Sequence, residues 1–219
     1  CLMTFSNNNG IKIVSGIIKA VNSNRAYLSE IDGAAGDGDH GINMSKGFTI
    51  AEEEINSRKS ASMSEGFLII SDVLVSKIGG SMGPLYGSFF RGLYAASKKA
   101  EIIDKNVILS MLEKAYSNLS MLTDAKPGDK TLIDVLDPAV SAYKKSVEQN
   151  YDFDICLKNM ISEAEKGLES TKDMIARLGR SSRLGERSRG HLDAGAASCY
   201  IILRAITDTA LELMNKQEV

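Results

Sequence analysis

The feature that most constrains the fold is the period of the apolar residues. They recur at helical spacing from end to end of the 219-residue chain, and strict alternation never persists for more than a few residues. Phe67, Ile70, Leu74 and Ile78, for example, fall on one face of a helix. We therefore predict an all-α protein.

The pattern predicts eight amphipathic helices. Pro84 is expected at the first position of the fourth helix, where its missing N–H is not needed, and Pro138 is expected to kink the sixth. Because connections are mostly short and no linker composition appears, we predict one domain over residues 1–219, an antiparallel up-and-down bundle or barrel. The predicted helices run from about Val14 to Ile31, His40 to Ile55, Ser64 to Ile78, Pro84 to Ala96, Val107 to Leu122, Lys130 to Gln149, Phe153 to Ala176 and Ala194 to Asn215.

Four glycine-bearing breaks follow the first, third, fifth and seventh predicted helices. They cover residues 32–41, 79–83, 126–131 and 179–195. In an up-and-down bundle, breaks separated by two helices lie at the same end, so we expect all four to meet at one rim. The last break is too long and too rich in glycine and charge for a simple turn, which favours a functional loop.

Three carboxylates crowd the first break. Asp32, Asp37 and Asp39 lie within eight residues, and Asp32 is predicted at the carbonyl end of a helix, where its charge opposes the helix dipole. Crowded carboxylates repel one another and are relieved chiefly by a divalent cation, most naturally Mg²⁺, which keeps ligand positions for phosphate. The alternative interpretation is a solvated turn in which Asp39 caps the following helix.

The other breaks add groups that suit phosphate. Gly79 to Gly83 precedes a helix start and leaves backbone N–H groups free, although it lacks the Walker pattern and also fits a tight interhelical turn. His40 is a candidate general base or phosphate donor, whereas a structural role is favoured for His191. The long loop is either solvated or supplies an arginine to a phosphate, and its arginines are Arg177, Arg180, Arg183, Arg187 and Arg189.

Composition narrows the partners. A net charge of −2 gives no electrostatic reason to expect nucleic acid or an anionic membrane, and 43% apolar residues can furnish a full core. No apolar run approaches the length of a membrane span and no signal peptide is recognisable, so we expect a cytoplasmic protein. Cys1, Cys156 and Cys199 lack the spacing of a disulfide framework or a zinc site, and buried thiols are expected for the last two.

Four motifs carry a resemblance to a known family. G-D-G-D-H-G-I-N-M, G-G-S-M-G-P-L-Y-G, P-G-D-K-T-L-I-D-V and L-G-E-R-S-R-G-H-L-D-A-G resemble, in this order, the loops of the nucleotide-binding L subunit of dihydroxyacetone kinase. The similarity spans nearly the whole chain. It implies an eight-helix barrel with ADP or ATP and two Mg²⁺ ions at one end.

The resemblance also implies roles for individual residues. Asp32, Asp37 and Asp39 would hold the Mg²⁺ ions, and Arg180 would reach the phosphoryl group and the partner subunit. Met82 stands where the family often has a small hydroxyl residue, and Thr123 where a glycine is expected beside the adenine. The implied nucleotide-binding residues are His40, Gly41, Asn43, Ser81, Met82, Thr123, Leu132, Arg180, Asp193, Ala194 and Gly195.

The length of the chain favours a separate subunit, because 219 residues leave no room for a substrate-binding domain on the same chain. By resemblance, bound ADP would be rephosphorylated by a phosphohistidine-bearing M subunit and the γ-phosphate passed to dihydroxyacetone on a K subunit. The alternatives are a split ATP-dependent kinase with exchanging nucleotide, a fatty-acid kinase portion, a nucleotide sensor docking on a transcription regulator, and a helical scaffold. Related ketoses such as erythrulose remain open as acceptors.

Overall fold

The computed structural model describes residues 3–215, and these residues are mostly helical. Two short strands, β1 (Phe5–Ser6) and β2 (Ile102–Ile103), pair antiparallel, and a 3-10 segment covers Arg180–Ser188. The helices are α1 (Ile11–Ser23), α2 (Arg25–Ala35), α3 (His40–Asn56), α4 (Met63–Lys77), α5 (Met82–Ser97), α6 (Lys105–Ser120), α7 (Ile133–Glu148), α8 (Phe153–Ser170) and α9 (Ala194–Asn215).

Eight of these helices close into a ring. Neighbours pack in the order α1, α3, α4, α5, α6, α7, α8, α9, and α9 packs back on α1, while α2 packs on α3 and α9. This arrangement confirms the prediction of an all-α barrel. None of the described helices is both long enough and apolar enough to cross a membrane.

The first predicted helix is wrong in one respect, because it is two helices. The chain departs from helical geometry at Asn24 (φ −100°, ψ 12°), whose side-chain amide donates to the carbonyl oxygen of Ala20 at 2.8 Å. Asparagine bonds readily to nearby backbone in this way and so ends helices. The apolar period continues across the break because Leu28 of α2 is also buried. Asp32 lies in the last turn of α2, as predicted.

Three other helix boundaries differ from the predicted ones. α5 begins at Met82, so Pro84 is its third residue, still within the first turn where N–H groups lack helical partners. α7 begins three residues after Lys130, because Lys130 has a positive φ of 62° that a right-handed helix does not accept. α8 ends at Ser170, before the predicted Ala176. Pro138 lies inside α7, which continues past it.

The core is mostly aliphatic and contains a group of packed aromatic side chains from α3, α4 and α5. The ring of Phe90 lies with its centroid 5.7 Å from that of Phe48, 5.9 Å from Phe67 and 5.3 Å from Phe89. Such tilted and edge contacts stabilise a core beyond the area they bury. The thiols of Cys156 and Cys199 are buried, which confirms their prediction, and Cys1 lies outside the described residues.

Candidate functional site

All four predicted breaks contribute to one cleft of about 1160 Å³. The cleft lies where the connections after α2, α4, α6 and α8 meet, as the topology predicted. Its wall includes the acidic residues of the first break, two glycines of the second, Lys130 and Thr131 of the third and Arg180 of the fourth. The predicted site residues on this wall are Asp32, Asp37, Asp39, His40, Asn43, Ser81, Met82, Thr123, Leu132, Arg180, Asp193, Ala194 and Gly195.

Gly41 is the predicted site residue that does not line the cleft. It lies in the first turn of α3, where a Cβ would collide with the carbonyl oxygen of Arg25 and lie 2.6 Å from Oγ of Ser29. Its lack of a side chain therefore lets α3 approach α2 closely.

The three carboxylates form a cluster at the cleft mouth. One oxygen each from Asp32, Asp37 and Asp39 lies within 4.8 Å of the others. Gly38 has a φ of 77°, which turns the chain between the last two. The side chain of Asp39 makes no capping bond to α3, whereas Oδ2 of Asp32 accepts the backbone N–H of His40 at 3.1 Å. A set of carboxylate oxygens alone fits a hard divalent cation.

Arg180 joins the basic loop to this cluster. It is the first residue of the 3-10 segment, directly after Gly179 with its φ of 71°. Its guanidinium contacts the carboxylate of Asp37 and lies 3.7 Å from Oδ2 of Asp39. An arginine of the basic loop thus reaches the carboxylate cluster across the cleft.

The ring of His40 points into the protein. Its Nε2 lies 2.9 Å from Oγ of Ser198, and burial lowers its pKa, opposed by the negative charge of Asp32. The ring is buried and hydrogen-bonded within the barrel, which favours a structural role for the side chain. His191 is exposed and lies off the cleft wall.

A buried hydrogen-bond chain extends from His40 to two other helices. The hydroxyls of Tyr86 and Ser198 are 2.6 Å apart, and the Tyr86 hydroxyl also donates to the carbonyl oxygen of Gly195 at 3.2 Å. The chain joins the first turn of α3 to α5 and α9. Sequence reasoning missed Tyr86 and Ser198, although Tyr86 stands inside a quoted motif, because buried hydroxyls leave no periodic signal.

The N-terminus of α5 forms another part of the wall. Ser81 precedes the helix without making a side-chain capping bond, and Gly80 adopts a φ of 74°. The terminal methyl group of Met82 packs against Gly195 at the start of α9. A Cβ placed on Gly195 would lie 3.1 Å from this methyl group. Because the first N–H groups of a helix have no partner within it, this end suits an anion.

The connection after α6 supplies apolar wall. Leu132 is buried, while Thr123 is half-buried and its Oγ1 accepts the backbone N–H of Ala125 at 3.1 Å. Met121 and Leu122 lie exposed beside them. This side of the cleft can pack a planar apolar group.

Asp193 lies at the entry to α9. Its Oδ2 accepts the backbone N–H of Ala196 at 2.8 Å, which satisfies one free donor of that helix. Protein atoms surround the carboxylate although the residue is partly open to the cleft, and this burial raises its pKa to about 7. Ala194 and Gly195 follow it on the wall.

Two residues that shape the P-G-D-K-T loop were also missed. The buried carboxylate of Asp134 accepts the backbone N–H groups of Gly128 at 2.6 Å and Thr131 at 2.8 Å. The ammonium of Lys130 is buried and bonded to backbone carbonyls of the connection between α8 and α9. A charged residue in a loop is usually exposed, so its sequence position gave no signal.

Comparison with known proteins gives consistent matches. The model of the DAK2 domain matches residues 34–208. The ADP-binding subunit DhaL of PEP-dependent dihydroxyacetone kinase 1 from Listeria innocua is 33% identical over 207 residues, covering 94% of this chain and 98% of the relative. The corresponding PEP-dependent subunit from Escherichia coli is 36% identical over 188 residues, covering 85% and 89%.

Solved structures share the fold. The native dihydroxyacetone kinase of C. freundii superposes with a TM-score of 0.67 at 21% identity, and its complex with AMP-PNP and Mg²⁺ with 0.62 at 21% identity. Each comparison covers 90% of this chain but only 33% of the kinase chain, so this chain corresponds to about a third of that enzyme.

Proposed function

Because this chain belongs to the DAK2 domain family, together with the ADP-binding L subunits of dihydroxyacetone kinases, we propose that it is the nucleotide-binding subunit of such a kinase. It would hold ADP while a phosphohistidine-bearing M subunit restores the γ-phosphate, and would present that phosphate to dihydroxyacetone on a K subunit. The observation that carries the proposal is the meeting of all four motif-bearing connections at one cleft, with three carboxylates facing an arginine.

Asp32, Asp37 and Asp39 are proposed to bind two Mg²⁺ ions. One oxygen of each already lies within 4.8 Å of the others, and three carboxylates together with the phosphates of the nucleotide supply the negative charge that two divalent ions need. Bound Mg²⁺ would neutralise phosphate charge, which is much of what phosphoryl transfer requires. Asp32 is held in place by its bond from the His40 N–H, so α2 and the start of α3 position one ligand.

The nucleotide is proposed to lie along the cleft from the carboxylates towards α7. Backbone N–H groups at the start of α3, around His40, Gly41 and Asn43, and at the start of α5, around Ser81 and Met82, would bind the phosphates. The apolar wall would pack the nucleoside, and the first turn of α9 would close the site. The residues of that wall and turn are Thr123, Leu132, Asp193, Ala194 and Gly195.

Arg180 is proposed to bind the transferring phosphoryl group. Its guanidinium contacts Asp37, so a short swing would carry it from the carboxylates to a phosphate bound beside them. A guanidinium presents a fork of donors that matches phosphate oxygens, and an arginine so placed stabilises the charge of the transition state.

The test compares Arg180→Ala with Arg183→Ala, an exposed arginine on the same segment that lies off the cleft wall. In a reconstituted transfer assay with K and M subunits, Arg180→Ala should reduce phosphoryl transfer by about 10³-fold or more. Both variants should retain ADP on gel filtration as the wild type does. Full transfer by Arg180→Ala would refute the catalytic role of Arg180. A wild type that transfers no phosphate, with a regulatory output that survives Arg180→Ala, would favour a nucleotide sensor instead.

A second candidate is a split ATP-dependent kinase that exchanges its nucleotide. It is favoured by the fold shared with the larger C. freundii kinase. Retention of ADP through gel filtration, with phosphorylation only by the phosphocarrier subunit, supports ADP as a resident cofactor. Rapid turnover of added ATP without that subunit supports exchange instead.

A further inference from the structure

A single buried lysine joins the cleft to the ends of the basic loop. Lys130 is 2% exposed, and its Nζ lies 2.7 Å from the carbonyl oxygen of Thr171, 2.7 Å from that of Ser188 and 2.6 Å from that of His191. The carbonyl oxygen of Met174 lies 3.3 Å away. An ammonium has three donors, so the three short bonds use all of them.

These acceptors lie on both ends of what we call the arginine segment, residues 177–189. Thr171 and Met174 precede it, and Ser188 and His191 lie at its far end. Other bonds also hold the segment: the Arg177 N–H donates to the carbonyl oxygen of Asp129, the Gly190 N–H to that of Lys172, and the Ala176 N–H to Oγ of Ser188, besides the contact of Arg180 with Asp37. Lys130 therefore gathers the two ends of the segment at one point.

Among residues 3–215, no carboxylate forms a salt bridge with the Lys130 ammonium. Burial lowers the pKa of Lys130, and the charge of Asp193 opposes this shift. The neutral carbonyl groups can accept three hydrogen bonds from Nζ of Lys130 only while Nζ is protonated, and only in this arrangement. Losing these partners would be strongly unfavourable, because the charge is buried. The backbone of Lys130 is left-handed, with a φ of 62°, which is uncommon for a residue other than glycine.

We propose that Lys130 is a positioning residue for Arg180. By tying residues 171–174 to residues 188–191, it fixes the ends of the arginine segment and so holds the Arg180 guanidinium over the carboxylates. This inference rests on the proposed role of Arg180 in phosphoryl transfer, but its structural half concerns only the order of the segment.

The structural half is tested by hydrogen exchange. Lys130→Met removes the ammonium at similar length, and Lys126→Met is the matched control, an exposed lysine on the same connection. In Lys130→Met we expect the backbone amides of residues 171–191 to exchange at least about tenfold faster than in the wild type. Exchange in α4 and α5 should stay unchanged, and Lys126→Met should match the wild type throughout.

The functional half is tested by a double-mutant cycle. Lys130→Met should lower phosphoryl transfer by about 10²-fold, since small misplacements of a reacting group have effects of that size, while ADP retention persists. Lys130→Met combined with Arg180→Ala should transfer no more slowly than Arg180→Ala alone, because a residue that acts through Arg180 adds nothing once Arg180 is gone.

Each other outcome overturns the proposal. Unchanged exchange in residues 171–191, or losses that multiply in the double variant, would mean that Lys130 does not act through the segment. If Lys130→Met does not fold, Lys130→Arg, which keeps a charge but has a wider head, goes through the same measurements; failure of both to fold would make Lys130 a support of the whole barrel. If Arg180→Ala transfers normally, the proposed role of Arg180 and the functional half of this inference both fail, while the exchange result still decides the structural half.

Discussion

At the residue scale, the carboxyl group of Asp193 on the cleft wall has a strongly raised pKa. Burial raises its pKa from about 4 to about 7, although it accepts the N–H of Ala196 and lies near the charge of Lys130. The folded protein therefore keeps a proton there that the unfolded chain releases between about pH 4 and pH 7. Stability should fall as pH rises through this window.

Asp193→Asn removes this titration and keeps an oxygen to accept the Ala196 N–H. The melting temperature of the variant minus that of the wild type, both measured in EDTA, should therefore be larger at pH 8 than at pH 5. The reason is that only the wild type gains a buried charge between these pH values. Thermal unfolding at the two pH values measures this. The control is Asp124→Asn, an exposed carboxylate on the cleft wall, for which the difference should be the same at both pH values.

Some of the site residues could be predicted from the sequence and others could not. The carboxylates and Arg180 were predictable, because charge clustered in glycine-rich breaks is visible in the sequence, and Asp37 and Asp39 also stand in a family motif. The structure brings them together as expected. Lys130, Tyr86 and Ser198 were not, because a buried polar side chain is defined by partners far along the chain.

At the element scale, helix contacts decide where the site residues lie. α2 carries Asp32 and α3 begins at His40, and the two helices approach closely at Gly41. The break between α1 and α2 was missed because the apolar period runs through it, and a hydrogen bond from Asn24 interrupts the helix without changing which residues are buried.

Gly41→Ala should push α3 away from α2. A methyl group there collides with the Arg25 carbonyl, so we expect the free energy of unfolding to fall by about 1–3 kcal/mol, as for overpacked sites. Gly79→Ala is the control, because a Cβ at Gly79 meets nothing within 4 Å, and it should change stability by less than about 0.5 kcal/mol. Urea unfolding followed by circular dichroism measures both. Equal effects would refute the close approach.

At the scale of the whole molecule, the barrel gathers distant segments at one rim. This could be predicted, because the alternation of direction in an up-and-down bundle sends every second connection to the same end. The breaks after α2, α4, α6 and α8 do line one cleft. The path of the arginine segment could not be predicted, since it depends on hydrogen bonds that link residues distant in sequence. The Lys130 ammonium donates to the Thr171 carbonyl, and the Ser188 hydroxyl accepts the Ala176 N–H.

The account as a whole depends on the carboxylate cluster binding Mg²⁺ together with a nucleotide diphosphate. The most direct measurement is isothermal titration calorimetry of the nucleotide-stripped protein with ADP, with and without Mg²⁺, for the wild type, Asp37→Asn and the control Asp72→Asn, an exposed carboxylate on α4. We predict binding by the wild type and Asp72→Asn that requires Mg²⁺, and loss of binding in Asp37→Asn. Equal ADP binding by all three proteins, or binding that is indifferent to Mg²⁺, would contradict the account.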